Sequence, residues 1–313
     1  MSESRARDGA SMGTTARTLA QAKVNLFLHV LAREASGYHQ LETLFCRLEL
    51  GDDVVVRTNV RGRSLDCTGE AMPARGLGPA ERNLAWRAAL AYADATGWPN
   101  DWAIEIVKRI PVGGGLGGGS ADAGAVLRSL NALAPTPVSP DALIALASSL
   151  GADVPFLTLD APLALGWGRG ERLLSLPPLP SRAVTLACFP FGVSTPEAFR
   201  WLDDSLGAPA TRGRSLDVRT LTTWSDVAAR AHNDFQSPVA ARYASIAETL
   251  GDWGQAIARR DDRESFAMLT GSGSTVFAVA DEDMLRPAVS DARGVRTVAT
   301  RTAMRVVGVE VSG

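Results

Sequence analysis

IPVGGGLGGGSADA, residues 110–123, is the stretch on which the reading of this chain turns. Six of the eight positions from Gly113 to Ser120 are glycine, the residue that loses most backbone freedom on folding, so so dense a cluster needs a physical reason. Upstream, Trp102, Ile104 and Ile106 alternate with Ala103, Glu105 and Val107, the period of a strand. Downstream, Ala123, Val126, Leu127, Leu130 and Leu133 recur at helical spacing until Pro135 and Pro137 end the pattern. Ser120 is the expected N-cap of that helix. A strand, a glycine-rich turn and a helix N-terminus make an anion site. Backbone N–H groups converge there, the helix dipole favours negative charge, and missing Cβ atoms let a phosphate come close.

Two familiar phosphate loops fail on context. No Gly-Lys-Ser/Thr follows, so this is not a Walker A loop. Gly113-x-Gly115-x-x-Gly118 fits the dinucleotide fingerprint by its letters, but that fingerprint also needs a second strand with an acidic end about 20 residues on. Here the region reads PTPVSPDALIALASSLGAD, a Pro-rich loop and another helix. A plain structural turn would need far fewer glycines.

Composition sets the frame. A chain of 313 residues with 46% hydrophobic and 21% charged residues fits a globular protein of one large or two ordinary domains. A net charge of −2 gives no global attraction to nucleic acid or membranes, so any anion site is local. No apolar run approaches the roughly 20 residues of a membrane span. Residues 1–16 are polar and small, a flexible leader without the apolar centre of a signal peptide. Cys46, Cys67 and Cys188 are scattered with no CxxC, which argues for a reducing cytoplasm and against zinc or a disulfide framework. Of 32 basic residues only Lys23 and Lys108 are lysine. A chain that otherwise uses arginine has kept two compact point charges. Lys108, near a strand end, reads as solvated. Lys23 lies in RTLAQAKVNLFLHV, where Val24, Leu26, Leu28 and Val30 alternate with Lys23, Asn25, Phe27 and His29. That pattern leaves Lys23 between a solvent-facing residue and a functional one, and His29 as a packing or surface histidine.

The remaining elements follow the same rules. Ser36-Gly37 marks a turn, with Tyr38 and His39 following at a loop tip or strand start; an aromatic beside a two-ended hydrogen-bonder can hold a base, or can simply pin the loop. Leu41–Leu50 and Asp53–Thr58 are expected strands joined by a Gly51-Asp52 turn, with a short strand around Ser64–Cys67 and a helix over Asn83–Thr96. A helix over Ala142–Leu150 is expected to end at Gly151 as C-cap, leaving Asp153 before a strand, PFLTL. There Asp153 is either a turn former or a carboxylate that orients a hydroxyl. LGWGRGERLL (165–174) reads as an irregular crossing and PPLP (177–180) as a linker, dividing residues 17–175 from 176–313. The second half is expected to hold a strand at Ala183–Phe189, a helix from Glu197 capped by Ser194 or Thr195, and an irregular polar stretch over Arg200–Thr223. It continues with a helical Asp226–Leu250 that includes HND (232–234), short helices at Arg263–Leu269 and Met284–Ala292, a second Gly/Ser turn at Gly271–Ser274, and terminal β structure at Thr297–Val311. The order suggests an α+β sandwich.

Taken together, the pieces resemble the GHMP kinase superfamily: a basic residue in the opening strand (AKVNLFLHV), a Pro followed by a Gly/Ser-rich phosphate loop (Pro111 to Ala123), and a late glycine-rich turn (LTGSGSTVF). GYHQLETLF, GADVPF and GVSTPEAF narrow the resemblance to the branch whose substrate is 4-(cytidine 5'-diphospho)-2-C-methyl-D-erythritol, in the non-mevalonate route to isoprenoids. The resemblance implies a two-domain α+β GHMP kinase fold: an N-terminal ribosomal-protein-S5-domain-2-like α/β domain carrying the ATP loop, and a C-terminal ferredoxin-like α/β sandwich on the substrate side. It implies ATP-dependent phosphorylation of that substrate's 2-hydroxyl. Asp153 would be the base, and Lys23 would steady it and the charge on the transferring group. Pro111, Val112, Gly113, Gly114, Gly115, Leu116, Gly117, Gly118, Gly119, Ser120 and Ala121 would wrap the ATP phosphates. Asn25 would bond near the reacting hydroxyl, Tyr38 and Phe199 would sandwich the cytosine, His39 would read its edge, and Thr195 would face the diphosphate. Magnesium is expected with ATP, without a dedicated carboxylate cage. The implied partner is a small molecule, not nucleic acid or membrane, and the implied state is a cytoplasmic monomer or weak homodimer. Two departures stand out: Ser120-Ala121-Asp122 where relatives often have Ser-Ser-Asn, which removes one possible phosphate or magnesium contact, and Gly114-Gly115 for a commoner Ala-Gly, a harmless exchange. A homoserine or mevalonate type of kinase, and a non-enzymatic sensor, are the rival readings. The first leaves Tyr38, His39 and Phe199 with no base to hold. The second predicts a missing lysine or carboxylate.

Overall fold

A computed structural model describes residues 14–206, 216–260, 262–281, 285 and 294–313. Most of the leader, part of the irregular stretch after Arg200, and all of the helix expected at Met284–Ala292 except Leu285 lie outside the described residues. In chain order the elements are β1 (Thr15–Arg33), β2 (His39–Thr58), β3 (Arg63–Thr68), α1 (Leu84–Thr96), β4 (Trp102–Val107), α2 (Gly118–Leu133), α3 (Pro140–Ser148), α4 (Val154–Thr158), β5 (Leu163–Gly168) and β6 (Arg172–Leu176). There follow β7 (Ala183–Cys188), α5 (Thr195–Leu206), α6 (Trp224–Ala228), β8 (His232–Asn233), α7 (Gln236–Ala240), α8 (Ala244–Ala258), β9 (Phe266–Leu269), β10 (Val276–Val279), β11 (Arg296–Arg301) and β12 (Glu310–Ser312).

Two sheets organise these elements. The first runs β12-β1-β2-β4-β3, with β5 and β6 added along the other half of β2 and β8 along the far end of β1. The second is an antiparallel four-stranded sheet in the order β11-β7-β10-β9. Numbered along the chain that order is 4-1-3-2, the split arrangement of a ferredoxin-like sandwich. PPLP runs from β6 of the first sheet to β7 of the second.

β1 ties the two layers together. Its inward aliphatics Val24 and Leu26 join the core that also holds Ile104, Ile106, Val126 and Leu130; Leu28 and Val30, further along, join the second core with Trp253, Ile246 and Val276. Its polar face does not meet water, unlike the half-buried strand the alternation suggested. Lys23, Asn25, Phe27 and His29 are all buried: the second sheet's turn reaches Asn25, and the His232 ring stacks on His29.

Several elements depart from the sequence expectations, each for a local reason. Gly51-Asp52 is no turn: β2 runs straight through it, opposite Ala20 and Gln21. A Cβ at Gly51 would lie 2.6 Å from Leu19 Cγ, so this glycine permits close strand approach. LGWGRGERLL is not irregular but the β5/β6 hairpin. PFLTL is α4, a single helical turn, and α3 ends at Ser149 rather than Gly151. FAML at 266–269 is β9, too short for its period to distinguish strand from helix. HND lies outside any helix. Asn233 donates to Leu269 O and Gly271 O, and Asp234 accepts from Val30 N, bonds that draw the segment onto β1 as β8.

Candidate active site

The six loop glycines divide into two groups by what a side chain would meet. At Gly114 a Cβ would lie 2.3 Å from Thr275 Oγ1, and at Gly115 2.6 Å from Thr270 O. At Gly117 it would lie 3.0 Å from Lys23 Cγ, and at Gly118 3.2 Å from Ile110 Cγ2. Gly114 and Gly115 pack the loop against the second glycine turn, Gly117 packs it against β1, and Gly118 packs it onto Ile110 and Lys108 at its own base. Gly114 is therefore not freely exchangeable with alanine here while Thr275 holds this position. At Gly113 nothing lies within 4 Å, and at Gly119 only Leu84 Cδ1 at 3.8 Å. That pair leaves the open side of the loop. Backbone bonds pin the loop at Leu116 O, from Lys23 N (3.0 Å), and at Gly114 O, from Thr275 N (3.1 Å).

α2 begins earlier than the Ser120 cap implied. Gly117, left-handed at φ +72°, occupies the cap position, and Ser120 lies in the first turn without capping. Only a residue without Cβ takes that conformation cheaply, so glycines extend the helix back into the loop. The first N–H groups of the helix, Gly118 to Ser120, then have no intrahelical acceptor and are available to an anion.

Lys23 reaches this loop from β1. Its ammonium meets Asp153 Oδ2 at 3.2 Å and Asn25 Oδ1 at 2.9 Å. The lysine is buried, whereas the Asp153 side chain is 33% exposed, so the pair opens to solvent only on the carboxylate side. Asp153 occupies the N-cap position of α4, yet its side chain makes no capping bond and turns to Lys23 instead. β-bulges on either side of the Lys23–Asn25 pair re-aim these side chains, a common device beside functional sites. Asn25 is fully engaged: Oδ1 accepts from Lys23 and from Gly271 N (3.1 Å), and Nδ2 donates to Thr43 Oγ1 (2.8 Å). Arg47, the cross-strand partner of Lys23, donates to Phe156 O (2.8 Å), Leu159 O (2.8 Å) and Ala161 O (3.2 Å). It fixes the far end of α4, the turn that begins at Asp153.

Beneath the loop lies a cluster that the sequence reading missed. Lys108 is not solvated but 2% exposed, held by Asp52 and, at 2.6 Å, by Asp122 Oδ2. Asp52 also accepts from Arg109 N (2.5 Å) and Ile110 N (2.8 Å). Burial opposes the Lys108 charge, but the Asp122 and Asp52 carboxylates outweigh it and raise the pKa above that of an ordinary lysine. Burial pushes Asp122 up to about 7; Lys108 opposes that rise and Asp52 adds to it. The signal was available: Lys108 shares its strand parity with Trp102, Ile104 and Ile106, all buried, and Asp52 shares its parity with Val54 and Val56.

Among the residues expected to hold substrate, His39 stacks on Phe199 with ring centroids 4.3 Å apart, and its Nε2 lies 2.9 Å from Asp203 Oδ1. Tyr38 is exposed and covered by the Arg169 guanidinium at 3.9 Å, itself paired to Glu34. Thr195, at the start of α5, is 2.9 Å from Ser272 in the second glycine turn. Tyr38 and Phe199 thus come from a β1–β2 loop and an α5 face, and in this state each ring has a neighbour other than the other.

Comparison with known proteins agrees with this architecture. The profile described as GHMP kinases N terminal domain matches residues 83–160. The 4-diphosphocytidyl-2-C-methyl-D-erythritol kinase of Geobacter sp. (strain M21) is 36% identical, over 85% of this chain and 89% of that relative. The protein of the same name from Anaeromyxobacter sp. (strain K) is 41% identical over 84% and 80%. Among solved structures, a 4-(cytidine 5'-diphospho)-2C-methyl-D-erythritol kinase superposes with a TM-score of 0.71 at 34% identity, covering 92% of this chain and 99% of that one. A homoserine kinase from Cytophaga hutchinsonii shares the fold at TM-score 0.68 with 16% identity, covering 98% and 100%.

Proposed function

The chain belongs to the family of 4-diphosphocytidyl-2-C-methyl-D-erythritol kinases, within the GHMP kinases, and on that premise we propose how its residues carry the reaction. The reaction is transfer of the γ-phosphoryl group of ATP to the 2-hydroxyl of 4-(cytidine 5'-diphospho)-2-C-methyl-D-erythritol, giving the 2-phosphate and ADP, in the methylerythritol phosphate route to isoprenoid precursors. The observation that carries the residue assignment is the Lys23–Asp153 pair, which opens to solvent only through its carboxylate beside the phosphate loop.

In this reading the N–H groups of Gly118, Gly119 and Ser120 hold the ATP phosphates across the open side at Gly113 and Gly119, with Pro111 to Ala121 forming the cradle. Asp153 accepts the proton of the 2-hydroxyl as its oxygen attacks the γ-phosphorus. Lys23 then stabilises the charge spreading over the transferring group, and Asn25 fixes the direction of the ammonium. Such chemistry is chiefly positioning and electrostatics, which a dipole-lined loop supplies. ATP is taken as its magnesium complex. The ion would offset the phosphate charge there, and Asp122, tied to Lys108, would not be one of its ligands. Cytosine enters between Tyr38 and Phe199 by displacing Arg169 from one ring and His39 from the other, which frees His39 to read the base edge. Thr195 faces the diphosphate. Three free cysteines support a reducing cytoplasm as the setting.

An ADP-release assay with the cytidine substrate, mevalonate and homoserine as acceptors tests the assignment. Turnover confined to the cytidine substrate is expected. Turnover with mevalonate or homoserine alone would replace this reading with another GHMP kinase, and no turnover with any acceptor would favour a sensor.

A further inference from the structure

We infer that Lys108, gripped between Asp52 and Asp122, is a positioning residue that sets the shape of the nucleotide phosphate loop; the inference rests on the reading of that loop as the ATP site. The loop cannot hold its own shape. Its glycines carry no side chains, and three of them, Gly113, Gly115 and Gly117, sit at positive φ. Its top is pinned from outside by Lys23 N and Thr275 N. Its base is pinned by the cluster. Asp52, from β2, accepts the N–H groups of Arg109 and Ile110 where the chain leaves β4. Asp122 stands one turn into α2, where the chain re-enters regular structure. The Lys108 ammonium bridges the two carboxylates and so joins the exit strand to the entry helix. A Cβ placed on Gly118 would lie 3.6 Å from that ammonium, which puts it directly under the first N–H groups of α2.

The three side chains are essentially sealed from solvent, at 2%, 0% and 2% exposure, and touch no part of the open face. Lys108 therefore acts through the loop rather than on substrate. Asp122 Oδ1 has no hydrogen-bond partner among the described residues. With its carboxyl raised toward neutrality by burial, the cluster holds the loop without placing two full negative charges beneath bound phosphates. Asp122 is thus engaged by Lys108 rather than by the loop's open face.

Lys108→Met and Asp122→Asn, in the full chain, test the inference by calorimetric titration with a magnesium-loaded non-hydrolysable ATP analogue and, separately, with CDP. Lys108→Met is expected to weaken the analogue by about tenfold or more while changing CDP by less than about twofold, because a loop misplaced by a fraction of its length loses phosphate contacts but not base contacts. Asp122→Asn keeps the side-chain volume and is expected to weaken the analogue alone, by about threefold or more. Equal weakening of both ligands, which a merely structural role would give, overturns the inference, as does an unchanged analogue affinity. Should Lys108→Met fail to fold, the same two outcomes are read from Asp122→Asn. Turnover of the wild-type chain on the cytidine substrate is measured beside these titrations, so that failure of the proposed function is seen apart from failure of the positioning role.

Discussion

Lys23 meets one carboxylate, Asp153, whose side chain stays a third exposed; Lys108 meets two, Asp52 and Asp122, both sealed. These are the two lysines among 32 basic residues, and both lie against the same phosphate loop. The chemistry of the two contacts is alike, ammonium against carboxylate. Their surroundings differ, and the difference assigns the work. A buried cation paired on every side has no freedom to respond to a newcomer, so it serves as a fixed joint. A buried cation with one half-open partner faces, in the proposed reaction, the place where charge would develop, and so could act on the reacting group. Arginine, with its planar fork, would fit neither position as compactly.

The comparison can be broken most decisively at its open end. Asp153→Asn is expected to lower turnover by about a thousandfold, the scale on which general bases contribute, while leaving the affinity for an ATP analogue nearly intact. Unchanged ADP release would remove Asp153 from its role and leave the two lysines functionally alike. At the sealed end the effect is on folding. Lys108→Met removes the one cation shared by two buried carboxylates and is expected to cost about 3–5 kcal/mol in urea unfolding, against about 1 kcal/mol for Lys23→Met, whose partner keeps access to water. Equal costs would erase the distinction drawn from burial.

Tyr38→Ala sharpens the comparison from outside, because Tyr38 touches neither lysine. Loss of a base-stacking ring is expected to raise the KM for the cytidine substrate by about tenfold and leave the KM for ATP within about twofold. Parallel changes in both constants would argue against stacking. The smallest effect is in pH. The folded-state pKa of Asp122 lies near 7, above the ordinary carboxylate value of 3.8, so the folded protein binds the proton more tightly than the unfolded chain. Its contribution to stability is full below about pH 4 and is lost as pH rises through about 7. The melting temperature of the wild type relative to Asp122→Asn should therefore fall by roughly a few degrees between acid and neutral pH and level off above it. A difference that stays constant across that range would return Asp122 to an ordinary carboxyl.

The open end of this comparison was legible in the sequence, and the sealed end was not. The glycine run is marked by a residue type that ordinary packing does not call for, whereas Lys23 and Asp153, ambiguous by local pattern, are singled out by the motifs around them. Lys108 and Asp52 are polar residues on inward strand faces, where burial is decided by which strand lies opposite. Here β2 and β4 pair with Asp53 against Val107, and their next residues, Asp52 and Lys108, meet beyond the last rung. Parity alone could have flagged both, had Gly51-Asp52 not read as a turn. The same limit explains HND: its Asn and Asp side chains bond to Leu269, Gly271 and Val30, none of them near in sequence. A helix with clear caps such as Asn83 and Gly97 on α1 is legible because its signals are local.

β1 also sets a timetable. Its residues pair with His232 and Asn233, with Glu310 to Ser312, and through Asn25 with Gly271. During synthesis Lys23 emerges early, while the turn that fixes Asn25 beside it emerges some 250 residues later, roughly 12–50 s at ordinary elongation rates. Until then Lys23 has Asp153 and Asn25 has Thr43, but Asn25 lacks the Gly271 N–H and the phosphate loop lacks Thr275 N, its second pin from outside. The late glycine turn thus completes the nucleotide cradle and the aim of the ammonium in one step, when residues 270–275 arrive.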